Sequence, residues 1–317
     1  MPKRQKRAKT DPEVAPSVSN PFPEPRRDAA APPRPPRTPQ PCILCGGRQH
    51  QSLFEKQGYD FLECRDCSLV RLDPVPDPQT LTEIYESSYA EGAYAVFAAA
   101  DEIRLAHAKT RVDIVAPHAP DGPWLDVGCS TGAFLEAAGQ RGIDIDGIDL
   151  SAVAIRAAQS RGLSAFHATV ENFEPPRPYS YITGFDVLEH LIDPGDFLDR
   201  VRNWLVPGGR IALTVPDIAS PHARLMGRHW YYYAAPLHIT YFNRKTATKI
   251  MEDHGFSSIE IVRAPKVMTI DYVTAQFEFF NPWLHRIVAA VSHLLPASVR
   301  TRELPMPTGE ILVAASA

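Results

Sequence analysis

The sequence predicts an α/β protein, a mostly parallel sheet with helices on its faces and a small metal-binding ribbon in front of it. Three features carry that prediction. Short apolar runs alternate with helical periodicity from Trp124 to Val215, the order that builds a parallel sheet with crossover helices. One of those runs, Trp124 to Val127, feeds a loop of small residues, Gly128 to Gly132, and then an apolar helical stretch. Upstream, four of the five cysteines stand as two CxxC pairs, Cys42/Cys45 and Cys64/Cys67.

The chain of 317 residues has room for one large core and one small satellite. Its first 41 residues hold 12 of the 31 prolines, with nine Lys/Arg against four Asp/Glu. Such composition cannot bury apolar surface, so 1–41 reads as a disordered basic tail. The opening MPKRQKRAKT lacks the apolar centre of a secretory signal. No run reaches the roughly 18 apolar residues of a membrane span. Few thiols, mostly in CxxC pairs, suit a reducing cytosol. From Cys42 onward 24 Lys/Arg face 33 Asp/Glu, a formal charge of about −9, opposite in sign to the surface of a tight phosphate-backbone binder.

Residues 42–73 are the ribbon. Two CxxC turns deliver four thiolates to one point, the tetrahedral set that structural zinc prefers, with no open coordination position. Between them, SLFEKQGYDFLEC reads as two short strands about Gly58, and SLV after Cys67 starts a third. A redox reading lacks the βαβ unit it needs around either pair. Residues 74–117 are a helical connector. Pro74, Pro76 and Pro78 force an extended entry, Leu81, Ile84 and Tyr85 repeat at helical spacing, and a second helix runs from Phe97 until Pro117 stops it. Tyr85, Tyr89 and Tyr94 stand as alternatives between plain connecting helix and a roof over a pocket.

From residue 118 to 317 the pattern is that of the main domain. A strand, a tight small-residue turn and a helix N-terminus together cradle a nucleotide-like ligand. The dinucleotide spacing GxGxxG is absent, because Ser130 stands two after Gly128. The next strand ends in Asp149, whose carboxylate can accept from both hydroxyls of a ribose; a helix N-cap is the alternative reading. Ala168, Thr169 and Val170 follow at the edge where an adenine would lie. A fourth strand delivers Asp186, Glu189 and His190 to the carboxyl end of the sheet, where ligands bind in open α/β folds. A helix, the turn VPGG and a fifth strand from Arg210 to Val215 follow.

The stretches LDVGCSTGAF, GIDLS, FDVLEHLIDP and LVPGGRIALTVP resemble the motifs of class I S-adenosylmethionine-dependent methyltransferases, the branch with ubiquinone-type and sugar-type enzymes. The resemblance runs from about Arg111 to Ala317. The double CxxC followed by LVRLDPVP and IYESSYAEG resembles the zinc-binding segment that precedes the domain in many such enzymes. It implies a Rossmann-like class I sheet, S-adenosylmethionine as cofactor and structural zinc at Cys42, Cys45, Cys64 and Cys67. It also implies that Asp126, Gly128 and Gly132 meet the methionine part, that Asp149 holds the ribose, and that Cys129, Leu150 and Asp186 line the same site. Cys129 and Ser130 depart from the pattern, standing where many members carry a further glycine.

Methyl transfer from a sulfonium is an in-line displacement that needs positioning and, for a hydroxyl or acidic carbon, a base. His238 and His190 are the candidates; Glu189 with His190 as a divalent-ion site is the alternative. The aromatic run Trp230, Tyr231, Tyr232, Tyr233, Tyr241 and Phe242 either roofs the pocket or packs a satellite core. The family's closing strand pair fits SSIEIVRAP and GEILVAAS, separated by an insertion, 265–307, with apolar residues on one helical face. Packing of that insertion on the body is expected, with a homodimer through 277–295 as a further expectation. The reading is a cytosolic methyltransferase acting on a small-molecule or glycan-precursor acceptor, oxygen before carbon, and not on nucleic acid. An RNA methyltransferase gripping with the ribbon and a non-catalytic binding protein are the rivals. Against the RNA reading stands the lack of an Asn/Asp-Pro-Pro-aromatic tetrapeptide after the fourth strand.

Overall fold

The computed structural model describes residues 40–81, 84, 101–274 and 282–317. The expectations for the tail 1–39, for Tyr85, Tyr89 and Tyr94, and for 97–100 and 277–281 lie outside them.

The ribbon forms as read. Strands β1 (His50–Lys56) and β2 (Tyr59–Cys64) make an antiparallel hairpin about Gly58, and β3 (Val70–Asp73) pairs with β2. A zinc ion about 2.3 Å from four tetrahedral sulfurs sets them about 3.8 Å apart. Here Cys42 and Cys67 Sγ lie 3.6 Å apart and Cys45 and Cys64 Sγ 3.5 Å apart, and all four lie within 4.8 Å of one another. The donor set fits zinc. The ribbon is not a free-standing module: β3 also pairs with β9 (Thr240–Tyr241), a two-residue strand from the far side of the chain, closing a four-stranded sheet.

The connector helix is α1 (Asp101–Val115), after which Pro117 sits inside a 3₁₀ turn. The main sheet follows: β4 (Trp124–Val127), α2 (Ala133–Gly139), β5 (Ile145–Asp149), α3 (Ala152–Ser160), β6 (Ala165–His167), β7 (Tyr179–Phe185), α4 (Pro194–Trp204) and β8 (Leu205–Pro216). Every residue of β4 and β7 is buried, as parallel strands covered on both faces must be. The seven-stranded order is β10-β13-β8-β7-β4-β5-β6. The closing pair, β10 (Ser257–Arg263) and β13 (Glu310–Ser316), is antiparallel, as expected from SSIEIVRAP and GEILVAAS. The VPGG turn expected before the fifth strand lies instead within β8.

Helix starts follow local chemistry. Asp193 caps α4 by accepting from the amides of Gly195 and Asp196, with Pro194 in the first turn. Ser220 caps α5 (Pro221–Met226) by accepting from the Ala223 amide, and Asn243 and Thr246 form a reciprocal capping box on α6 (Arg244–Asp253). One face of the sheet packs on α4 and α6, and that same core takes in Cys42, Cys64, Cys67 and Leu69 of the ribbon. The other face packs on α1 and α2 through Trp124, Phe134, Tyr181 and Phe185.

Of the two readings of the aromatic run, the packing one holds. Trp230, Tyr232, Tyr233 and Tyr241 join Phe61, Val70 and Leu72 of the ribbon in a third core. The insertion rises on the strand pair β11 (Lys266–Met268) and β12 (Leu304–Met306). Its helix α7 (Pro282–Ser292) leaves Ile287 and Val291 exposed, so body packing accounts for only part of its apolar surface.

Replacing Cys64 by Ser removes one of four thiolates. Hydrogen exchange should then accelerate in 42–73 and at Thr240 and Tyr241, while β4, β5 and β7 keep wild-type protection. Uniform acceleration across the main sheet would mean that the ribbon supports the whole fold.

Candidate functional site

The site lies at the carboxyl ends of β4, β5 and β7. Gly128 (φ +77°) turns the chain out of β4, and a Cβ there would sit 2.7 Å from Val187 Cγ2. Gly132 (φ +84°) precedes α2, where a Cβ would sit 2.5 Å from Leu163 Cδ1. Only glycine fits either position, so the loop is set against both the β7 loop and the segment after α3.

Asp149 ends β5 and ties the loop down. Its Oδ2 accepts from the Ser130 amide and its Oδ1 from the Ser151 amide, both at 2.8 Å. The N-cap of α3 is Ser151, not Asp149, so the capping alternative falls. Burial pushes the Asp149 carboxyl up, while the two amides and the charges of His167 and Arg104 pull it down. Each carboxylate oxygen has further acceptor capacity. Beside it Leu150 is 42% exposed, an apolar surface. Asp126 is enclosed under the loop and accepts from Thr183 Oγ1 at 2.6 Å. Burial pushes its carboxyl up to about 7, against the pull of Thr183 and Arg111. The Cys129 side chain is buried, and burial keeps it a thiol. A small-residue turn and a carboxylate at Asp149 with spare acceptor capacity fit the S-adenosylmethionine expected from the sequence.

Asp186 follows β7 in a left-handed conformation, φ +57°. Arg111 Nη2 from α1 lies 2.7 Å from its Oδ2 and Lys266 Nζ from β11 3.5 Å. Burial favours the neutral acid, but Lys266 and Arg111 outweigh it and hold the carboxyl well below the usual range. Lys266 also pairs with Glu310 at 2.5 Å, and Tyr232 donates its hydroxyl to Glu310. Burial pushes Glu310 up to about 7. Asp186, expected to line the cofactor site, thus pairs with protein cations.

The residues Arg111, Lys266 and Glu310 were missed in the sequence. One signal was legible: β13 runs antiparallel to its neighbours, so its first residue, Glu310, lies opposite Pro216 at the carboxyl edge.

His190 and His238, 48 positions apart in the chain, come together with ring centroids 4.5 Å apart. His190 closes the 3₁₀ turn Leu188–His190 and its Nδ1 bonds the Leu237 carbonyl at 3.1 Å. His238 Nδ1 bonds the Tyr232 carbonyl at 2.9 Å. A carbonyl only accepts, so each Nδ1 carries the proton and Nε2 is the acceptor nitrogen. Burial lowers His190 to about 4 and His238 well below its ordinary range. His190 is half-buried and His238 buried. Glu189 is enclosed too, both carboxylate oxygens without a hydrogen-bond partner among the described residues, and burial drives its carboxyl well up. Glu189, His190 and His238 each offer a ligand atom within 4.8 Å of the others.

The seven-stranded α/β sheet with an antiparallel closing strand and a tight glycine turn after β4 is the fold expected from the sequence. The family model described as "Methyltransferase domain" matches residues 90–261, more than half of the chain, and the protein belongs to that family. Among curated proteins, the ubiquinone biosynthesis O-methyltransferase of Schizosaccharomyces pombe, a mitochondrial protein, is 30% identical over 99 residues. That match spans 28% of this chain and 36% of the relative. The Xylella fastidiosa protein named ubiquinone biosynthesis O-methyltransferase is 32% identical over 111 residues, 32% of this chain and 45% of the relative. The chain thus spans less than half the length of these relatives. Among solved structures, an S-adenosylmethionine-dependent methyltransferase from Archaeoglobus fulgidus aligns with TM-score 0.49 and 19% identity over 70% of this chain and 99% of its own.

Replacing Asp149 by Ala should weaken S-adenosylmethionine about 10- to 100-fold in calorimetry, the scale of lost charge-assisted hydrogen bonds; unchanged affinity would move the ribose site elsewhere. Asp126 supplies a pH test. Its carboxyl near 7 in the free protein should fall when the cofactor's ammonium arrives, so binding releases protons. Affinity therefore rises with pH up to about 7 and levels off above. At pH 6.5 the calorimetric enthalpy should vary with buffer ionisation enthalpy, and invariance would remove Asp126 from the cofactor site.

Proposed function

We propose that this protein transfers the methyl group of S-adenosylmethionine to a hydroxyl of a small-molecule or glycan-precursor acceptor, with His190 as general base. One observation carries the reading. The turn holding Glu189 and His190 begins at Val187, the residue against which Gly128 of the cofactor loop is packed. A base and an electrophilic methyl are thereby built onto neighbouring loops.

The cofactor supplies a methyl group on a sulfonium. The chain's own groups do the rest. Ser130, Asp149 and the glycine turn fix the cofactor's orientation. His190, half-buried, presents its Nε2 to the acceptor hydroxyl and takes its proton. His238 is enclosed behind it, edge to face, and holds its ring. Relatives named O-methyltransferases support oxygen as the acceptor atom. The formal charge of about −9 from Cys42 onward argues against nucleic acid. No described helix is long and apolar enough to cross a membrane. Few cysteines, four of the five in CxxC pairs, support the cytosolic placement expected from thiol usage. Exposed Ile287 and Val291 support pairing of two copies through 277–295.

A second reading rests on Glu189, whose two enclosed oxygens have no hydrogen-bond partner among the described residues. A divalent ion held by Glu189, His190 and His238 would compensate that burial and orient an acceptor oxygen.

Replacing His190 by Gln should lower kcat by about 10²- to 10⁴-fold with unchanged cofactor affinity, measured by labelled-methyl transfer to a panel of phenols, sugar nucleotides and RNA. A variant as fast as wild type would end the base assignment, and labelling of RNA alone would end the acceptor assignment. The same assay with added Mg²⁺, Mn²⁺ or Zn²⁺ tests the second reading: rate gains that vanish in Glu189→Gln would favour it.

A further inference from the structure

We propose that Arg71 is a positioning residue that couples the zinc clip to the loop carrying Glu189 and His190. The inference rests on the methyl-transfer reading only for the use of that loop.

Arg71 stands in the middle of β3, and its side chain reaches out of the ribbon. Its Nη2 donates to the Ile192 carbonyl at 2.6 Å, two residues beyond His190. Its Nε is enclosed without a hydrogen-bond partner among the described residues. With Cys42, Cys64 and His50 it lines a cavity of about 380 Å³ between the ribbon and the Pro74 turn. Four thiolates around one zinc ion leave two net negative charges. Three of those cysteines are buried, so the charge is poorly screened by water. Burial pulls the Arg71 guanidinium down from its ordinary range, against the opposing charges of Asp193 and then Cys42. The guanidinium thus donates to a carbonyl of the β7 loop while sharing a cavity wall with two of the clip's cysteines.

The backbone runs in parallel with that link. Arg71 pairs with Thr240, the Leu72 amide donates to the Ile239 carbonyl at 3.0 Å, and the Ile239 amide donates to the Glu189 carbonyl at 2.8 Å. His238 sits next to Ile239. A guanidinium fork can hold a carbonyl and a distant charge at once, whereas a lysine ammonium is a point charge on a flexible stem.

Lys249 provides the control. It also feels the charges of Cys45 and Cys67, but it is exposed on α6 and pairs with Asp253 at 2.9 Å. It supplies charge to the clip without a described hydrogen bond to the β7 loop.

The experiment uses full-length zinc-loaded protein and the variants Arg71→Ala, Arg71→Lys and Lys249→Ala. Three quantities are read: zinc transfer to a chromophoric chelator, the side-chain ¹⁵N–¹H signals of His190 and His238, and S-adenosylmethionine affinity by calorimetry. Arg71→Ala should lose zinc about tenfold faster, the lower end of what a partner beside a metal site contributes. It should also shift both histidine signals and leave cofactor affinity unchanged. Arg71→Lys, which keeps charge and bulk, should restore zinc retention but not the histidine signals. Lys249→Ala should change zinc loss alone. Wild-type zinc loss or unmoved histidine signals in Arg71→Ala would overturn the proposal. So would equal histidine shifts in Lys249→Ala. Should Arg71→Ala fail to fold, Arg71→Lys still decides, because wild-type histidine signals there would exclude the fork. None of these readouts requires turnover, so a wild-type protein that methylates nothing would sink the proposed function and leave this test intact.

Discussion

A full negative charge at Asp186, on the carboxyl edge of the sheet, is the constraint around which the site is organised. Asp186 takes a left-handed backbone conformation, and its amide donates to Thr214 Oγ1 at 2.9 Å, so the carboxylate is fixed in place. Enclosing a carboxylate is costly unless cations accompany it. Arg111 and Lys266 supply them from two remote segments, a helix before the sheet and a strand leading into the insertion. Lys266 then brings Glu310, and Glu310 takes the Tyr232 hydroxyl. Tyr232 in turn offers its carbonyl to His238. One partly enclosed charge thus recruits α1, β11, β13 and the aromatic segment to one edge of the sheet. The Asp186 side chain keeps 30% of its surface exposed, so each pair contributes less than a fully buried one would, and it is the shared network that ties these elements together.

The half of the site made by the local chain was legible in the sequence. Asp126, Gly128, Gly132 and Asp149 occur within one βαβ unit, where strand, turn and helix follow each other without interruption. Their roles depend on spacing alone. Ser130 was readable as a departure from the dinucleotide pattern, and its amide now bonds Asp149. The four cysteines were readable for the same reason, because each CxxC makes its own metal turn. The two histidines were nominated as separate candidates, and nothing in the spacing from His190 to His238 announces that their rings meet. Their meeting depends on β9 crossing to the ribbon and on Ile239 bonding the Glu189 carbonyl.

The rest was illegible for a physical reason. Arg111, Lys266 and Glu310 each sit in an ordinary amphipathic or strand context, and a charge there reads as solvent-facing. Register across the main sheet puts Glu310 opposite Pro216, and the separate pair β11–β12 carries Lys266 over the Tyr232 ring, 5.1 Å from its centroid. The aromatic run posed the opposite difficulty. Six large rings in one connection gave equal weight to a roof and to a core, because residue type does not say which surface the rings will find. They found the ribbon: Phe54 and Phe61 stack at 4.5 Å, and Tyr233 meets both edge to face.

That contact changes what the ribbon is for. A module of three short strands and a metal cannot stabilise itself by burial alone, and here it does not have to. It lends its β3 edge to β9 and its apolar face to Trp230, Tyr233 and Tyr241, gaining the core it lacks. In exchange the segment from Tyr232 to Tyr241, which has little regular structure of its own, acquires a sheet to lie on. His238 within it is then positioned by the ribbon backbone through Ile239 on one side and by the Tyr232 carbonyl, itself tied to the Asp186 network, on the other. Two separate devices, a four-cysteine clip that fits zinc and a cluster of ion pairs, thus converge on the ring that meets His190. Two supports from different parts of the chain fix a segment more closely than either alone, and reactions that depend on alignment lose rate when a group shifts by about one ångström.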